Sequence, residues 1–245
     1  MRRTSLLRGA RVRARNVWHR LAGPPHDADY KTVWNRAAAR NAVDAIFTGA
    51  TAETFENSGR DDAGRLLPLV RPDSRVLNIG CGIGRVERYL APHVGELWGV
   101  DISGEMIARA RIRLAEAPNV HLRELAAREF LSSFDSSSFD LVFSFLVLQH
   151  LEKEDAYLYL EDARRILKPE GRLSVQFPNL LSPEYSVTFT EDARLWPRNS
   201  GRVRPYTEPE VRHLLESAGF AVTHLSVEAG RESNAEIYAQ ASRRK

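Results

Sequence analysis

Three glycines follow a short apolar segment, at a point where a ligand could lie against the backbone. The segment VLNI leads into Gly80, Gly82 and Gly84, and a stretch of helical character comes next. Glycines at a strand-to-helix junction allow a tight turn and let a ligand approach the main chain closely. Asp101 ends the next apolar segment about 20 residues on, where a carboxylate can hold ribose hydroxyls. The pattern predicts a nucleoside site, and a plain strand-to-helix turn is the alternative.

The residue after the third glycine bears on the type of nucleoside. The fingerprint for a dinucleotide has its third glycine one step later, where this chain has Arg85. A bulky side chain at that close contact between helix and strand disfavours a pyrophosphate. An NAD-dependent oxidoreductase is therefore the disfavoured alternative.

The glycine spacing and four later segments resemble the class I S-adenosylmethionine-dependent methyltransferases. In chain order the segments are VLNIGCGIGR, GVDISGEMIARAR, FDLVFSFLVLQHL, ARRILKPEGRL and YTEPEVRHLLESAGF, all within residues 70–228. The resemblance implies S-adenosyl-L-methionine as the cofactor and S-adenosyl-L-homocysteine as the product. It also implies that the glycine loop lies along the methionine and ribose part of the cofactor. The cofactor-binding residues expected on this basis are Gly80, Cys81, Gly82, Gly84, Asp101, Ile102, Met106, Ala126, Ser144 and Phe145.

Two positions depart from the pattern of that family. Asn78 stands where the family usually has an acid, two residues before the first glycine, and an amide accepts hydrogen bonds without bringing a charge. Ala126 stands where the family often has Asp or Asn beside the adenine amino group, which leaves backbone groups and apolar packing by Leu125 or Ala127. These departures keep one alternative open: a non-catalytic protein of the cofactor fold that binds RNA or a partner.

His150 is the candidate catalytic residue. It follows the predicted fourth strand at the carboxyl end of the sheet, where open α/β folds bind ligands. A histidine is well suited to take the proton that an alcohol or phenol acceptor loses, and the alternative is that His150 only packs or caps the helix from Lys153. Cys81 is interpreted as a small residue that fits the turn, since no histidine lies nearby in sequence to activate it. Arg60 either reaches the cofactor carboxylate or lies on a helix surface.

The elements that would position these residues alternate along the chain. Nearly all-apolar strands separated by helices predict an α/β fold with a parallel sheet covered on both faces. The resemblance implies the Rossmann-like class I methyltransferase fold, with a seven-stranded, mostly parallel sheet whose last strand is antiparallel. We predict strands over 75–79, 96–100, 119–122, 139–145, 171–177, 221–227 and 235–241, and helices over 27–48, 51–70, 84–91, 103–115, 153–167 and from Thr207, where Glu210 completes a capping box.

The predicted organisation is a basic arm over 1–26, expected to be flexible, and a single methyltransferase domain over 27–245. Within the domain we expect a helical cap over 27–70, a cofactor-binding core over 71–179, an irregular lid-like insertion over 180–206, and a helix with a strand pair over 207–245. Acceptor specificity should lie in the cap and the insertion. The candidates there are Trp34, Phe189, Trp196 and Tyr206 as aromatic walls and Arg198, Arg202 and Arg204 as anion holders, with ordinary packing and solvated charge as the alternative.

Composition and charge limit the classes of protein to which this chain can belong. The chain has 245 residues, 43% of them hydrophobic and 27% charged, and its one cysteine and scattered histidines exclude a disulfide scaffold and a zinc finger. We expect no metal, no integral membrane association and a small-molecule acceptor. The net charge is +3, yet residues 1–26 hold seven arginines and no acid, so the rest of the chain is net negative and nucleic acid is disfavoured as a substrate.

The basic arm has three interpretations. It is a solvated tail, an amphipathic segment that contacts a partner or an acidic surface, or an organelle transit peptide. No apolar segment of secretory type follows its first arginines, and we favour a cytoplasmic protein.

Overall fold

The computed structural model describes residues 30–125, 131–195, 201–229 and 234–244. The basic arm, Ala126, Trp196 and Arg198 lie outside the described residues. Seven strands form one sheet: β1 Arg75–Ile79, β2 Glu96–Asp101, β3 Val120–Glu124, β4 Phe139–Ser144, β5 Leu167–Pro178, β6 Phe220–Ala229 and β7 Ala235–Arg243. The helices are α1 Tyr30–Ile46, α2 Ala52–Leu66, α3 Glu87–Leu90, α4 Gly104–Arg113, α5 Lys153–Ile166, α6 Pro183–Ala193 and α7 Glu208–Ser217. Among these residues no helix is long and apolar enough to cross a bilayer.

The sheet has the strand order β3-β2-β1-β4-β5-β7-β6. Strands β1 to β5 pair in parallel, whereas β7 runs antiparallel to both of its neighbours. The central strands β1 and β4 are buried almost throughout because helices cover both faces, which explains their continuous apolar sequence. The predicted fold class and the predicted antiparallel final strand are therefore confirmed, as is the capping box of α7.

Two local predictions are wrong. A helix is predicted over 84–91, but residues 82–86 form turns and α3 covers only Glu87–Leu90, because Gly84 has a left-handed backbone with φ of 80°. The insertion over 180–206 is predicted to be irregular, but it contains the helix α6. Pro183 begins this helix, and its fixed φ suits a first helical turn. The β-branched and aromatic residues that follow have low helix propensity, which hides α6 from the sequence pattern.

Helix α2 crosses directly over the turn that follows β1. A Cβ atom at Gly59 would lie 2.3 Å from the carbonyl oxygen of Arg85, so only glycine permits this approach. The Arg85 guanidinium is 4% exposed and lies 2.6 Å from the Asp62 carboxylate, and it also donates to the Ser58 hydroxyl. Burial removes both charges from water, so each charge depends on the other. The pair therefore fixes α2 against the turn.

Asp62→Ala tests this contact. The change leaves the Arg85 guanidinium buried without its carboxylate, and we expect the free energy of unfolding to fall by about 3 to 5 kcal/mol in a urea titration. Asp61→Ala, on the exposed face of the same helix, should change it by less than about 0.5 kcal/mol. Equal effects of the two variants would contradict the role assigned to the pair.

Candidate functional site

The turn after β1 places backbone N–H groups and small residues against the end of β2. Gly80 and Gly82 have left-handed backbones, with φ of 77° and 54°. The N–H groups of Gly80 and Cys81 both donate to the carbonyl of Val100, at 2.7 and 2.9 Å. A Cβ atom at Gly80 would lie 2.2 Å from a methyl group of Val147, so glycine is required there by space as well as by backbone conformation.

Asp101 connects this turn to the next one. Its carboxylate accepts the N–H of Gly82 at Oδ2 (2.9 Å) and the N–H of Ser103 at Oδ1 (2.8 Å). Burial raises the pKa of Asp101 to about 6, and these backbone hydrogen bonds oppose the rise. Each carboxylate oxygen can accept a second hydrogen bond, so the group remains able to bind two neighbouring hydroxyls.

A cavity of about 430 Å³ opens beside the turn, a size typical of small-molecule sites. Eight of the predicted cofactor-binding and catalytic residues line it: Gly80, Cys81, Gly82, Asp101, Ile102, Met106, Phe145 and His150. Apolar side chains make up much of the remaining wall, among them Val100, Leu125 and Val147. The structure thus brings together the end of β1, the end of β2 and the turn after β4.

Three other predicted residues do not line the cavity. Gly84 lies behind the turn, where a Cβ atom would be 2.5 Å from Leu114. Ser144 is buried and its hydroxyl donates to the carbonyl of Ile79, which ties β4 to β1. Arg60 is exposed, donates to Asn57 and lies over the ring of Tyr89. Arg60 thus has the helix-surface position that was its alternative placement, and it does not line the cavity.

Beneath the cavity wall an amide and a carboxylate form a buried pair. Asn78 lines the cavity, and its Nδ2 donates to Glu87 Oε1 at 2.6 Å. Glu87 is 0% exposed and is absent from the cavity wall, so it lies behind Asn78. Burial raises the pKa of Glu87 to about 7, while the Asn78 hydrogen bond and the charge of Arg85 oppose the rise.

A second amide–carboxylate pair fixes the turn after β4. Leu146 has a left-handed backbone with φ of 63°, which is unfavourable for a residue with a side chain. Its N–H donates to Gln176 Oε1, and Gln176 Nε2 donates in turn to Glu236. Tyr185 of α6 donates its hydroxyl to the other oxygen of Glu236. Through this chain the insertion supports the turn that carries Phe145, Leu146 and Val147 to the cavity.

The hydrogen bonds of His150 assign its tautomer. Nδ1 lies 2.9 Å from the carbonyl oxygen of Gly201, which can only accept, so Nδ1 carries the hydrogen. Nε2 lies 3.1 Å from the side-chain nitrogen of Gln149, which can only donate, so Nε2 presents its lone pair. In this arrangement the single lone pair of Nε2 is engaged by Gln149, and His150 lines the cavity.

Helix α1 covers the opposite side of the cavity. Tyr30 donates its hydroxyl to Asp155 at 3.0 Å and accepts the N–H of Glu152 at 2.9 Å. The ring of Trp34 meets the ring of His150 edge to face, with centroids 4.8 Å apart. Asn41 has an extended backbone that interrupts the helix. The predicted cap thus contributes cavity walls, with Trp34 among them.

Arg202 and Arg204 of the insertion are engaged in ion pairs. Arg204 lies in the cavity wall, pairs with Glu152 and donates to the carbonyl of His150 at 2.6 Å. Arg202 pairs with the same carboxylate at 3.2 Å. These contacts hold the pKa of Glu152 below its usual range. Arg204 therefore supports the turn that carries His150. Of the aromatic candidates in the insertion, Tyr206 is buried against Phe177, and Phe189 is half exposed.

Cys81 is surrounded in a way that suits a packing residue. It is buried, and a Cβ atom added at Gly99 would lie 2.9 Å from the Cys81 Cβ. Burial and the nearby acids Glu87 and Asp101 raise the pKa of its thiol well above the ordinary value. Over the described ranges, no group of three or more potential ligands is arranged to hold a metal ion.

Residues 76–171 match the family model described as a methyltransferase domain. This segment is a methyltransferase domain. It belongs to the class I S-adenosylmethionine-dependent methyltransferases, as the sequence resemblance predicted.

Known relatives of the methyltransferase domain differ in what they do. The chain is 35% identical over 173 residues to a malonyl-[acyl-carrier protein] O-methyltransferase of Herminiimonas arsenicoxydans, covering 68% of this chain and 59% of the relative. It is 32% identical over 162 residues to an S-adenosyl-L-methionine-dependent Diels–Alderase of Talaromyces variabilis, covering 60% and 53%. The chain thus spans little more than half the length of these two relatives.

Solved structures share the fold of the methyltransferase domain. The magnesium protoporphyrin IX methyltransferase of Synechocystis PCC 6803, solved with S-adenosylhomocysteine bound, superposes with a TM-score of 0.60 at 19% identity. The alignment covers 94% of each chain. The similarity therefore extends beyond the domain to the elements before and after it.

Several residues of the site were missed in the sequence. The sequence does not single out Glu87, because it lies in a stretch that resembles an ordinary helix. The signal that could have found it is an acid placed among Val86, Tyr89 and Leu90, in apolar surroundings that suit a buried carboxylate. Glu152 and Asp155 gave no signal, since acids at a helix start are common and reflect the helix dipole. Tyr30 lies far from the core in sequence, and only the folded chain brings it to the cavity.

The buried carboxyl of Glu87 should make stability depend on pH. Its pKa is raised from 4.5 to about 7 by folding, so the folded chain binds a proton that the unfolded chain releases, and the free energy of unfolding falls between about pH 5 and 8. Asp101 adds to this fall at its lower end. Glu87→Gln removes the cost of the buried charge and should reduce the fall by up to roughly 3 kcal/mol. Urea titrations at pH 5 and pH 8 measure it.

The matched control is Glu105→Gln, which neutralises an exposed acid on α4. It should leave the pH dependence of stability as in the unaltered chain. An unchanged pH dependence in Glu87→Gln would mean that the Glu87 carboxyl does not titrate in this range, which contradicts its raised pKa.

Proposed function

We propose that this chain transfers a methyl group from S-adenosyl-L-methionine to an oxygen or nitrogen of a small-molecule acceptor. The observation that carries the proposal is one cavity lined by both Asp101 and His150. A ribose-binding carboxylate and a proton acceptor then face the same enclosed space. The two reactants of a methyl transfer must meet in such a space with water excluded.

The residues of the glycine turn fit an adenosyl ligand. Both Asp101 oxygens keep acceptor capacity for a ribose diol, as described above. Ile102, Met106 and Leu125 supply apolar surface for a purine ring. Gly80 and Gly82 keep the wall free of side chains where the ligand would pass the backbone. Asn78 adds a buried acceptor at the same wall.

His150 is placed to take a proton from the acceptor. When bound, S-adenosyl-L-methionine supplies a methyl group on a sulfonium, already activated for displacement. An alcohol or phenol acceptor must lose a proton as it is methylated, and His150 Nε2 can take that proton once the Gln149 amide releases its lone pair. The Gly201 carbonyl holds the ring in the required tautomer, and Trp34 and Arg204 hold the ring and its backbone in place.

A second candidate function is ring closure by cycloaddition. It is favoured by the similarity to the Diels–Alderase of Talaromyces variabilis. Such a reaction would use the cavity to orient a substrate and would leave the methyl group of the cofactor in place. The two functions differ in one product, because only methyl transfer releases S-adenosyl-L-homocysteine.

Ligand binding and product release test the proposal in two steps. Calorimetry should give saturable binding of S-adenosyl-L-homocysteine and none of NAD. Incubation with methyl-labelled S-adenosyl-L-methionine and a panel of phenols, carboxylic acids and amines should then transfer label to an acceptor. Absence of binding would overturn the cofactor assignment, and binding with a cyclised, unlabelled product would favour the second candidate.

Asp101→Asn should weaken cofactor binding. The change removes the charge that would accept two ribose hydroxyls, and an amide must also place a donor against the N–H of Gly82 or Ser103. We expect a loss of about 2 to 4 kcal/mol, or about 30- to 1,000-fold in Kd for S-adenosyl-L-homocysteine by calorimetry. Glu105→Gln, four residues on and exposed, should bind as the unaltered chain does. Equal affinities of Asp101→Asn and the unaltered chain would contradict ribose binding at this residue.

His150→Ala should affect turnover and spare cofactor binding. Loss of a general base lowers kcat by about 10²- to 10⁴-fold for an acceptor that must be deprotonated. The Kd of S-adenosyl-L-homocysteine should stay within about twofold of that of the unaltered chain. The decrease of kcat at low pH should disappear. His213→Ala, an exposed histidine on α7, is the control and should keep full kcat. Full turnover by His150→Ala would show that another group takes the proton.

A further inference from the structure

The Asn78–Glu87 pair leaves two buried acceptors unused. Neither Asn78 Oδ1 nor Glu87 Oε2 has a hydrogen-bond partner within the described ranges. Asn78 is 4% exposed and Glu87 is 0% exposed, so water does not satisfy these atoms from bulk solvent. An unsatisfied buried acceptor costs about 1 to 3 kcal/mol, more when it is charged. The arrangement is therefore incomplete without a donor.

The hydrogen bond from Asn78 to Glu87 determines which atom of the amide is left over. A carboxylate can only accept, so it engages the Asn78 Nδ2 and leaves Oδ1 as the unused end. The Gln176–Glu236 pair is built in the same way, with Gln176 Nε2 on the carboxylate and Oε1 turned away. There the freed oxygen has a donor, the N–H of Leu146. At Asn78 the corresponding oxygen has no such donor among the described residues, and Asn78 is part of the cavity wall.

The charges around the pair select the type of donor. Glu87 and Asp101 are both buried acids near this wall, and Asp101 raises the pKa of Glu87 while Arg85 lowers it. The Arg85 guanidinium is itself paired with Asp62. Two carboxylates against one shared cation leave an excess of negative charge next to Asn78. A cationic donor is therefore favoured over a neutral one at Oδ1.

We propose that Glu87 is a positioning residue for the cofactor, which holds the Asn78 amide so that Oδ1 accepts a hydrogen bond from the α-ammonium group of the bound ligand. The inference rests on the proposed placement of the cofactor in this cavity. Because Oδ1 is buried in the described state, this binding mode requires the Asn78 side chain to turn toward the cavity as the ligand binds. In this pair Asn78 supplies the acceptor and Glu87 supplies the negative charge. The family usually combines the two in one acid at the position of Asn78.

The same pair makes binding depend on pH. Ionised Glu87 can only accept, which keeps Asn78 Nδ2 on the carboxylate and Oδ1 available to the ligand. Protonated Glu87 can also donate, so the Asn78 amide can turn over and give Oδ1 to Glu87 instead of to the ligand. The pKa of Glu87, raised to about 7 by burial, places this change between pH 6 and 8. The groups that face Glu87 are Asn78, Arg85, Asp101 and the thiol of Cys81. Affinity for a ligand with an ammonium group should therefore rise across this range.

Two ligands and two variants test the proposal by calorimetry on the full chain. S-adenosyl-L-homocysteine carries the ammonium group, and 5′-methylthioadenosine lacks the whole amino-acid end. Glu87→Gln should weaken the first about tenfold at pH 8 and leave the second within about twofold, and it should flatten the pH dependence of the first. The double variant Asn78→Asp with Glu87→Gln returns a carboxylate to position 78, where the amide introduced at position 87 can donate to it. Its affinity for S-adenosyl-L-homocysteine should recover to within about threefold.

The possible outcomes separate this proposal from the proposed function. Equal weakening of both ligands by Glu87→Gln, or no weakening of either, would overturn the positioning role of Glu87. Failure of the double variant to recover, with its melting temperature unchanged, would overturn the need for an acceptor at position 78. Failure of both ligands to bind the unaltered chain would remove the cofactor placement itself and this inference with it.

Discussion

The backbone conformation of one turn controls this structure. Gly80 and Gly82 adopt left-handed conformations, and their N–H groups are taken up by the carbonyl of Val100 and the carboxylate of Asp101. These hydrogen bonds join the ends of β1 and β2, so the two strands finish at one wall of the cavity. Because Gly59 of α2 and Val147 approach the same turn closely, larger residues there would displace elements on both sides.

Two buried amide–carboxylate pairs act on either side of that turn. Gln176 and Glu236 support the strained backbone at Leu146, which carries the third wall of the cavity. Asn78 and Glu87 have the same chemistry but leave an oxygen unused at the first wall. A carboxylate that orients an amide thus serves stability in one place and, in our proposal, ligand binding in the other. The second pair costs free energy in the unliganded chain, as functional sites often do.

The sequence was sufficient for the core of the fold and for half of the cavity. Continuous apolar strands, the glycine turn and Asp101 follow local rules of backbone conformation and burial, and the structure places them as predicted. Helix α6 was missed because its β-branched residues conceal a helix that is stabilised by tertiary contacts such as Tyr185 with Glu236. Arg60 and Glu87 show the other limit: whether a charged side chain faces solvent, a cavity or the core depends on contacts made by distant residues.

The most direct test of cofactor binding at this turn is a crystal structure of the chain with S-adenosyl-L-homocysteine. We predict the ribose hydroxyls on the Asp101 carboxylate, the amino group within hydrogen-bond distance of Asn78 Oδ1, and the sulfur facing the side of the cavity that holds His150. A ligand bound in another place, or one whose ribose makes no contact with Asp101, would contradict the proposed binding mode.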